Sequence, residues 1–185
     1  MKKRTSKEIL IQTLLELSNN RPIDKITVKQ IVEESGVSLK TFYNHFRDKY
    51  DLMLYVLESK TEPVLEQIKN GECTFHEMLI NAVSFCQDYR TFLNNAAIHT
   101  SGLDSFEKKH QTMACQTLRL FMMSRLQSDT LCEEMEFAIH LYSYGLIEMY
   151  YDTYLRENSF LPSEAWVRFC ENSMPEILKP YLLST

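Results

Sequence analysis

Residues 27–50 read TVKQIVEESGVSLKTFYNHFRDKY, and they gather side chains suited to recognition chemistry on a short span. Lys40 can donate to guanine O6 or N7, Asn44 can pair with adenine, and Leu39 can touch a thymine methyl. With the hydroxyls of Ser38 and Thr41, these residues are the candidates for facing base edges. The elements that must hold them can be read locally. Thr27 opens a helix, and Gln30 three residues later completes a capping box. Ile26 and Ile31 are spaced as its hydrophobic staple, and Val28, Ile31 and Val32 share one face. Gly36 stands where that helix must stop, because glycine tolerates the left-handed backbone that ends helices. Ser38 starts a second helix over 38–45, with Val37 and Phe42 as its staple. Lys40, Thr41, Tyr43 and Asn44 give that helix a polar outer face, while Phe42 and Phe46 belong to the core. Helix, glycine turn and short polar helix is the helix-turn-helix signature, whose second helix enters the DNA major groove.

The run ITVKQIVEESGVSLKTFYNHFRDKYDL resembles the DNA-binding segment of TetR/AcrR-family transcription regulators. The likeness rests on the apolar positions before the turn, on Gly36-Val37-Ser38, on TFYNHF, and on Lys49, Asp51 and Leu52. It covers roughly residues 6–57; the remainder resembles the family in size and helical character. The resemblance implies an all-α fold, with a helix-turn-helix domain over 1–50 and a helical dimerisation and effector domain over 51–185. It also puts Thr27, Tyr43, His45 and Lys49 at DNA phosphates, in keeping with their hydroxyl, imidazole and ammonium groups. Packing against a neighbouring helix is the other reading of Tyr43 and His45.

Composition agrees. The chain is 44% hydrophobic, with only four glycines and five prolines among 185 residues, which favours long helices around a core. The net charge of −5 conceals an asymmetry. Residues 1–60 hold eleven Lys/Arg and eight Asp/Glu, giving +3; the rest hold nine and seventeen, giving −8. A basic first third on an acidic body suits DNA contact at one end only. Lys2, Lys3 and Arg4 form either a solvated tail or an arm reaching phosphate or minor groove. The five cysteines (73, 86, 115, 132 and 170) have no paired spacing, which points to reduced thiols in a cytoplasm. Neither a signal peptide nor an apolar run of the ~20 residues that span a bilayer is present.

Elsewhere Thr5 and Glu8 cap a first helix carrying Ile9, Leu10, Thr13, Leu14 and Leu17 on one face. Ile9, Leu14, Leu17, Val28, Ile31, Val32, Val37, Phe42 and Phe46 are the expected core of the basic head. Asp48 should cap a helix reaching about residue 68, with a kink or break at Pro63. The start of that helix, with Lys49 beside it, is a further candidate phosphate site. Helices follow over 74–89 (capped by Thr74 and Glu77), 90–99, 104–127, 130–157 (capped by Thr130 and Glu133) and 164–173, with a loop over 158–163.

The helix over 131–157 is apolar on more than one side. Phe137, Leu141, Tyr144 and Tyr151 line one; Ala138, Tyr142, Gly145, Leu146 and Met149 line another. One face can serve the body's core and another a two-fold partner. Trp166, Val167, Phe169 and Cys170 in the last helix likewise exceed what one face needs. The resemblance implies a homodimer through these two helices, with Tyr142, Gly145, Leu146, Met149, Trp166, Val167, Phe169 and Cys170 at the interface. A monomer burying both faces is the alternative. The resemblance also implies an effector cavity, for which Phe85, Tyr89, Phe92, Met113, Phe121, Met122, His140, Tyr144 and Glu148 are candidates; plain core packing is the alternative. His140 and Glu148 lie roughly 80° apart around a helix of about 3.6 residues per turn, with Tyr144 between them.

The sequence YSYGLIEMYYDTYLRENSFLPSEAW is similar to the C-terminal region of the dihydroxyacetone-kinase-regulator-like branch. That likeness implies a protein effector and activation, where the wider family implies a repressor released by a small molecule. Enzyme motifs are absent: there is no HExxH, P-loop, GxGxxG or GxSxG, and no cofactor is expected. Cys73 and His76 are spaced like half a zinc site without a second half. A helical adaptor without DNA binding is a rival reading.

Overall fold

The structure is a computed structural model and describes residues 4–102, 105–156 and 161–183. Every regular element among them is helical. The chain divides into two compact units, Met1–Ser59 with Thr91–Glu107, and Lys60–Arg90 with Lys108–Thr185. Lys2 and Lys3 of the expected arm, the start at Asp104 of the helix expected over 104–127, and the end at Glu157 of the one expected over 130–157 lie outside the described residues.

In the first unit, Thr5 and Glu8 form the expected capping box at the start of α1 (Ser6–Ser18). A single 3-10 turn, Ile23–Lys25, leads to α2 (Val28–Ser35), which Thr27 and Gln30 open with a second box. Gly36 ends α2 at φ 67°, a left-handed backbone that glycine adopts without strain. Ser38 caps α3 (Leu39–His45) by accepting from the Thr41 N–H at 3.1 Å. Asp48 then accepts from the N–H groups of Tyr50 and Asp51, both at 2.8 Å, and starts α4 (Lys49–Lys69). The helix continues through Pro63 instead of breaking; the ring is exposed and meets solvent.

The core of this unit differs from the sequence expectation. Leu14, Ile31, Phe42 and Phe46 are buried as anticipated, whereas Ile9, Leu17, Val28, Val32 and Val37 are only half-buried. Their place is taken by Leu10, Ile23, Ile26, Leu52 and Val56, and by Phe92, Leu93, Ala96 and Phe106 from the returning segment. Phe92 and Phe106 meet edge-on with centroids 5.8 Å apart. Thr100 closes that segment by donating to the Ala96 carbonyl and accepting from the Phe106 N–H.

Helix α5 (Phe75–Ile98) begins with the expected Thr74–Glu77 box and is interrupted at Tyr89, whose φ −113° and ψ 18° are non-helical. The change of helix expected at 89–90 is therefore one residue wide. The second unit continues with α6 (Phe106–Leu126), shared with the first, and α7 (Glu133–Tyr151). Thr130 does not cap α7. Its backbone N–H is taken by Ser128, and Cys132 precedes a first turn rich in Glu133, Glu134 and Glu136, charges that favour a helix start. A π turn, Asp152–Arg156, ends α7; α8 (Ser163–Asn172) and the short α9 (Lys179–Leu182) follow.

Aromatic residues fill this unit. Phe75 meets Phe121 edge-on at 6.2 Å, and Tyr150 and Tyr154 each lie 6.0 Å from Trp166. Two buried tyrosine hydroxyls find backbone partners: Tyr142 donates to the Cys170 carbonyl at 2.6 Å, and Tyr150 to that of Ala82 at 2.7 Å. All five cysteines are free thiols. Burial pushes Cys86 up to about 11 and Cys170 up to about 12, so both stay protonated and unreactive. Among the described residues no helix is long and apolar enough to cross a membrane.

His110 of α6 is half-buried against this core, its Nδ1 3.1 Å from the Tyr151 hydroxyl. Burial lowers its pKa from 6.5 to about 4, so the folded imidazole is neutral where an unfolded one takes a proton. Stability from this group is full above pH 6.5 and declines as pH falls toward 4. The whole loss is at most about 3 kcal/mol, because water screens part of a half-buried ring. Denaturant titrations at pH 7 and pH 4.5 should show this slope in wild type and a shallower one in His110→Gln.

Candidate nucleic-acid interface

Helix α3 has one fully buried anchor, Phe42, and turns its polar face outward. Leu39 is 50% and Tyr43 56% exposed, and Ser38, Lys40, Asn44 and His45 are exposed beside them. Thr41 is half-buried, its hydroxyl 2.8 Å from that of Ser38. The five residues expected at base edges therefore lie on or next to one solvent-facing turn and a half of helix. Phe42 and Phe46 brace that helix from behind, with Phe46 5.3 Å from Tyr55 of α4. Tyr43 sets its ring edge against Phe42 at 5.4 Å and remains largely exposed, so packing and outward contact are compatible at this residue. His45 is exposed near Phe46.

Lys49 departs from the expectation. Its ammonium donates to the carbonyls of Ile23, Asp24 and Ile26 at 2.8, 2.8 and 2.6 Å. An ammonium has three protons, and all three are used inside the chain. Burial is the main cause of its lowered pKa, which the charge of Asp24 opposes. Lys49 thus ties the start of α4 to the turn before α2, and a phosphate could recruit it only by displacing a carbonyl. The amides at the start of α4 are likewise engaged, since Asp48 takes two of them. The hydroxyl of Thr27 exchanges hydrogen bonds with Gln30 while facing solvent.

Sequence reasoning missed other cations on this surface. Arg47, with an 86% exposed side chain, is held by Asp51 through both its backbone N–H and its guanidinium, each at 3.0 Å. Lys25 and Lys29 are exposed beside Asp24 and Glu33. The basic balance of residues 1–60 was the signal that could have pointed to them.

The residues proposed for an effector cavity are divided between the two units, and those of the second unit differ in burial. Phe92 belongs to the core of the first unit. Phe121 and Met122 are buried in the second, while Phe85, stacked on Tyr89 at 4.9 Å, and Met113 are half-buried. His140 and Tyr144 stand on the outer side of α7, and Glu148 pairs with Arg156 at 2.5 Å. The dimer candidates divide similarly. Tyr142, Trp166, Val167 and Cys170 are buried within the chain's own second unit, where their hydrogen bonds and ring contacts are made. Gly145, Met149 and Phe169 are exposed and Leu146 is half-buried. Phe137 and Leu141, 71% and 64% exposed, extend the apolar outer face of α7. Cys73 and His76 are not brought together as metal ligands: the thiol donates to the Thr74 carbonyl, and the imidazole sits between Glu164 and Glu171.

Residues 10–56 match the model of the family described as bacterial regulatory proteins, tetR family, so the first unit carries a tetR-type N-terminal domain. A curated helix-turn-helix-type transcriptional regulator of Staphylococcus aureus strain bovine RF122 / ET3-1 is 30% identical over 61 residues, 33% of each chain. One from strain USA300 is 28% identical over 61 residues, again 33% of each. The chain thus matches about a third of the length of these relatives. A solved structure named dihydroxyacetone kinase operon activator DhaS is similar over 95% of this chain and 97% of its own, with a TM-score of 0.66 at 15% identity, a likeness of fold.

Removing the Lys49 ammonium takes a charged donor from three carbonyls. Lys49→Met should lower unfolding free energy by about 2 kcal/mol. It should weaken DNA binding without changing the dependence of log K on log salt, since no phosphate cation is lost. A slope shallower by about one unit in titrations from 50 to 200 mM salt would return Lys49 to a phosphate.

Proposed function

We propose that the chain is a DNA-binding transcription regulator that reads its site as a two-fold dimer. The observation that carries the reading is the outward face of α3, where Leu39, Lys40 and Asn44 are exposed around the buried Phe42. Lys40 and Asn44 address base edges and Leu39 a thymine methyl; Tyr43, His45 and Thr27 address phosphates, joined by Arg47. One helix this short reads too few bases for useful specificity, which favours two copies on one duplex.

The outer face of α7 supports the dimer. Phe137, Leu141, Gly145 and Met149 recur there at helical spacing, all exposed. Among the described residues, a Cβ built on Gly145 would meet no atom within 4 Å beyond its own helix backbone and chain neighbours. A mid-helix glycine costs about 1 kcal/mol relative to alanine, and close approach of a second copy gives that cost a purpose. The partner set we assign is therefore this outer face with Phe169, rather than Tyr142 and Trp166.

The protein acts in the cytoplasm as a repressor released from its operator by an effector. Activation under a partner protein is the second reading; the structural neighbour, by its name an operon activator, favours it.

A gel-shift series on a duplex from the DNA flanking its own gene tests the reading. Wild type should shift it as a dimer. Lys40→Ala should lose about 1–3 kcal/mol of affinity and relax preference at one base pair of each half-site. Leu141→Glu should give a single-chain mass by light scattering and lose the specific shift. Equal operator affinity of Lys40→Ala, Asn44→Ala and wild type would remove the assignment.

A further inference from the structure

The link between α1 and α2 holds one 3-10 turn and is otherwise irregular, so some of its backbone polar groups need partners from elsewhere. Asn95 of α5, more than seventy residues away in sequence, supplies them. Its amide nitrogen donates to the carbonyls of Ser18 and Arg21, both at 2.7 Å, and its oxygen accepts from the Ile23 N–H at 2.8 Å. Both donors and the acceptor of the side chain are thus spent on one turn. No other side chain of this size offers two donors and one acceptor in that arrangement. Aspartate would face two carbonyls with a carboxylate; glutamine is one methylene too long.

We propose that Asn95 is a positioning residue for DNA reading: by clamping the α1–α2 turn it holds α3 in register, and its release switches specific binding off. The proposal rests on the DNA-binding reading above. α2 leads directly through Gly36 into α3, so a slack turn ahead of α2 displaces the reading helix. The clamped groups are partly exposed, so water can take them over and the head loosens without unfolding. Long-range attraction of Lys25, Lys29 and Arg47, which lie outside α3, for phosphates does not need α3 in register, so non-specific binding survives.

The test uses two probes: the duplex that wild type selects from a random pool, and an unrelated duplex of equal length. Asn95→Ala and Asn95→Asp are compared with wild type by gel shift at several salt concentrations. Amide exchange at Ile23 reports whether the clamp is open. Specific affinity should fall at least about tenfold. Binding to the unrelated duplex should stay within about twofold, with an unchanged salt slope. Asn95→Ser serves if the aspartate variant does not fold. Wild-type discrimination between the probes in a variant whose Ile23 amide exchanges fast would overturn the proposal, as would an equal fall on both probes. A wild type that selects no duplex from the pool would instead sink the DNA-binding reading, and the proposal with it.

Discussion

A helix of seven residues cannot hold itself together in water. That limit governs the first unit, because the residues suited to touching bases sit on such a helix. α3 exists because Ser38 caps it, Phe42 anchors it, and the turn ahead of α2 is fixed. Six backbone groups in that turn region are held by two side chains. Asn95 takes Ser18, Arg21 and the Ile23 N–H; Lys49 takes the carbonyls of Ile23, Asp24 and Ile26. The reading surface is therefore only as rigid as two polar clamps arriving from α4 and α5.

Local features of the fold were legible in the sequence. Capping boxes are three-residue patterns, and those at Thr5, Thr27 and Thr74 stand where the spacing puts them. Gly36 was readable for the same reason, since its left-handed backbone is a property of one residue. The outward face of α3 followed from its scarcity of apolar residues. The clamps were not legible. Asn95 reads as an ordinary helix-surface amide until its partners, more than seventy positions earlier, are known. The family resemblance and an ammonium at a helix start put Lys49 at a phosphate, and its three carbonyl partners lie more than twenty positions earlier. Five of the nine residues expected in the head core are only half-buried, because a period places residues on a face without saying how deeply that face is covered; Phe92 and Phe106 enter from a distant segment.

The second unit teaches a related lesson. α7 is apolar nearly all round, and helical spacing cannot say which side faces inward. The side with Tyr142 goes in, held by its hydroxyl on Cys170, and the side with Phe137 and Leu141 stays out. The same uncertainty affected the cavity candidates, since His140 and Tyr144 share that outer side. A run of aromatic residues at helical spacing is consistent with core, partner surface or pocket, and only three-dimensional placement separates them.

The most direct measurement is photo-crosslinking from a reactive residue at position 44 in the presence of the selected duplex. The account predicts crosslinks to bases in the major groove of two half-sites related by two-fold symmetry, while the same residue at position 141 crosslinks to a second protein chain. No crosslink from position 44, with DNA captured instead from position 141, would contradict it.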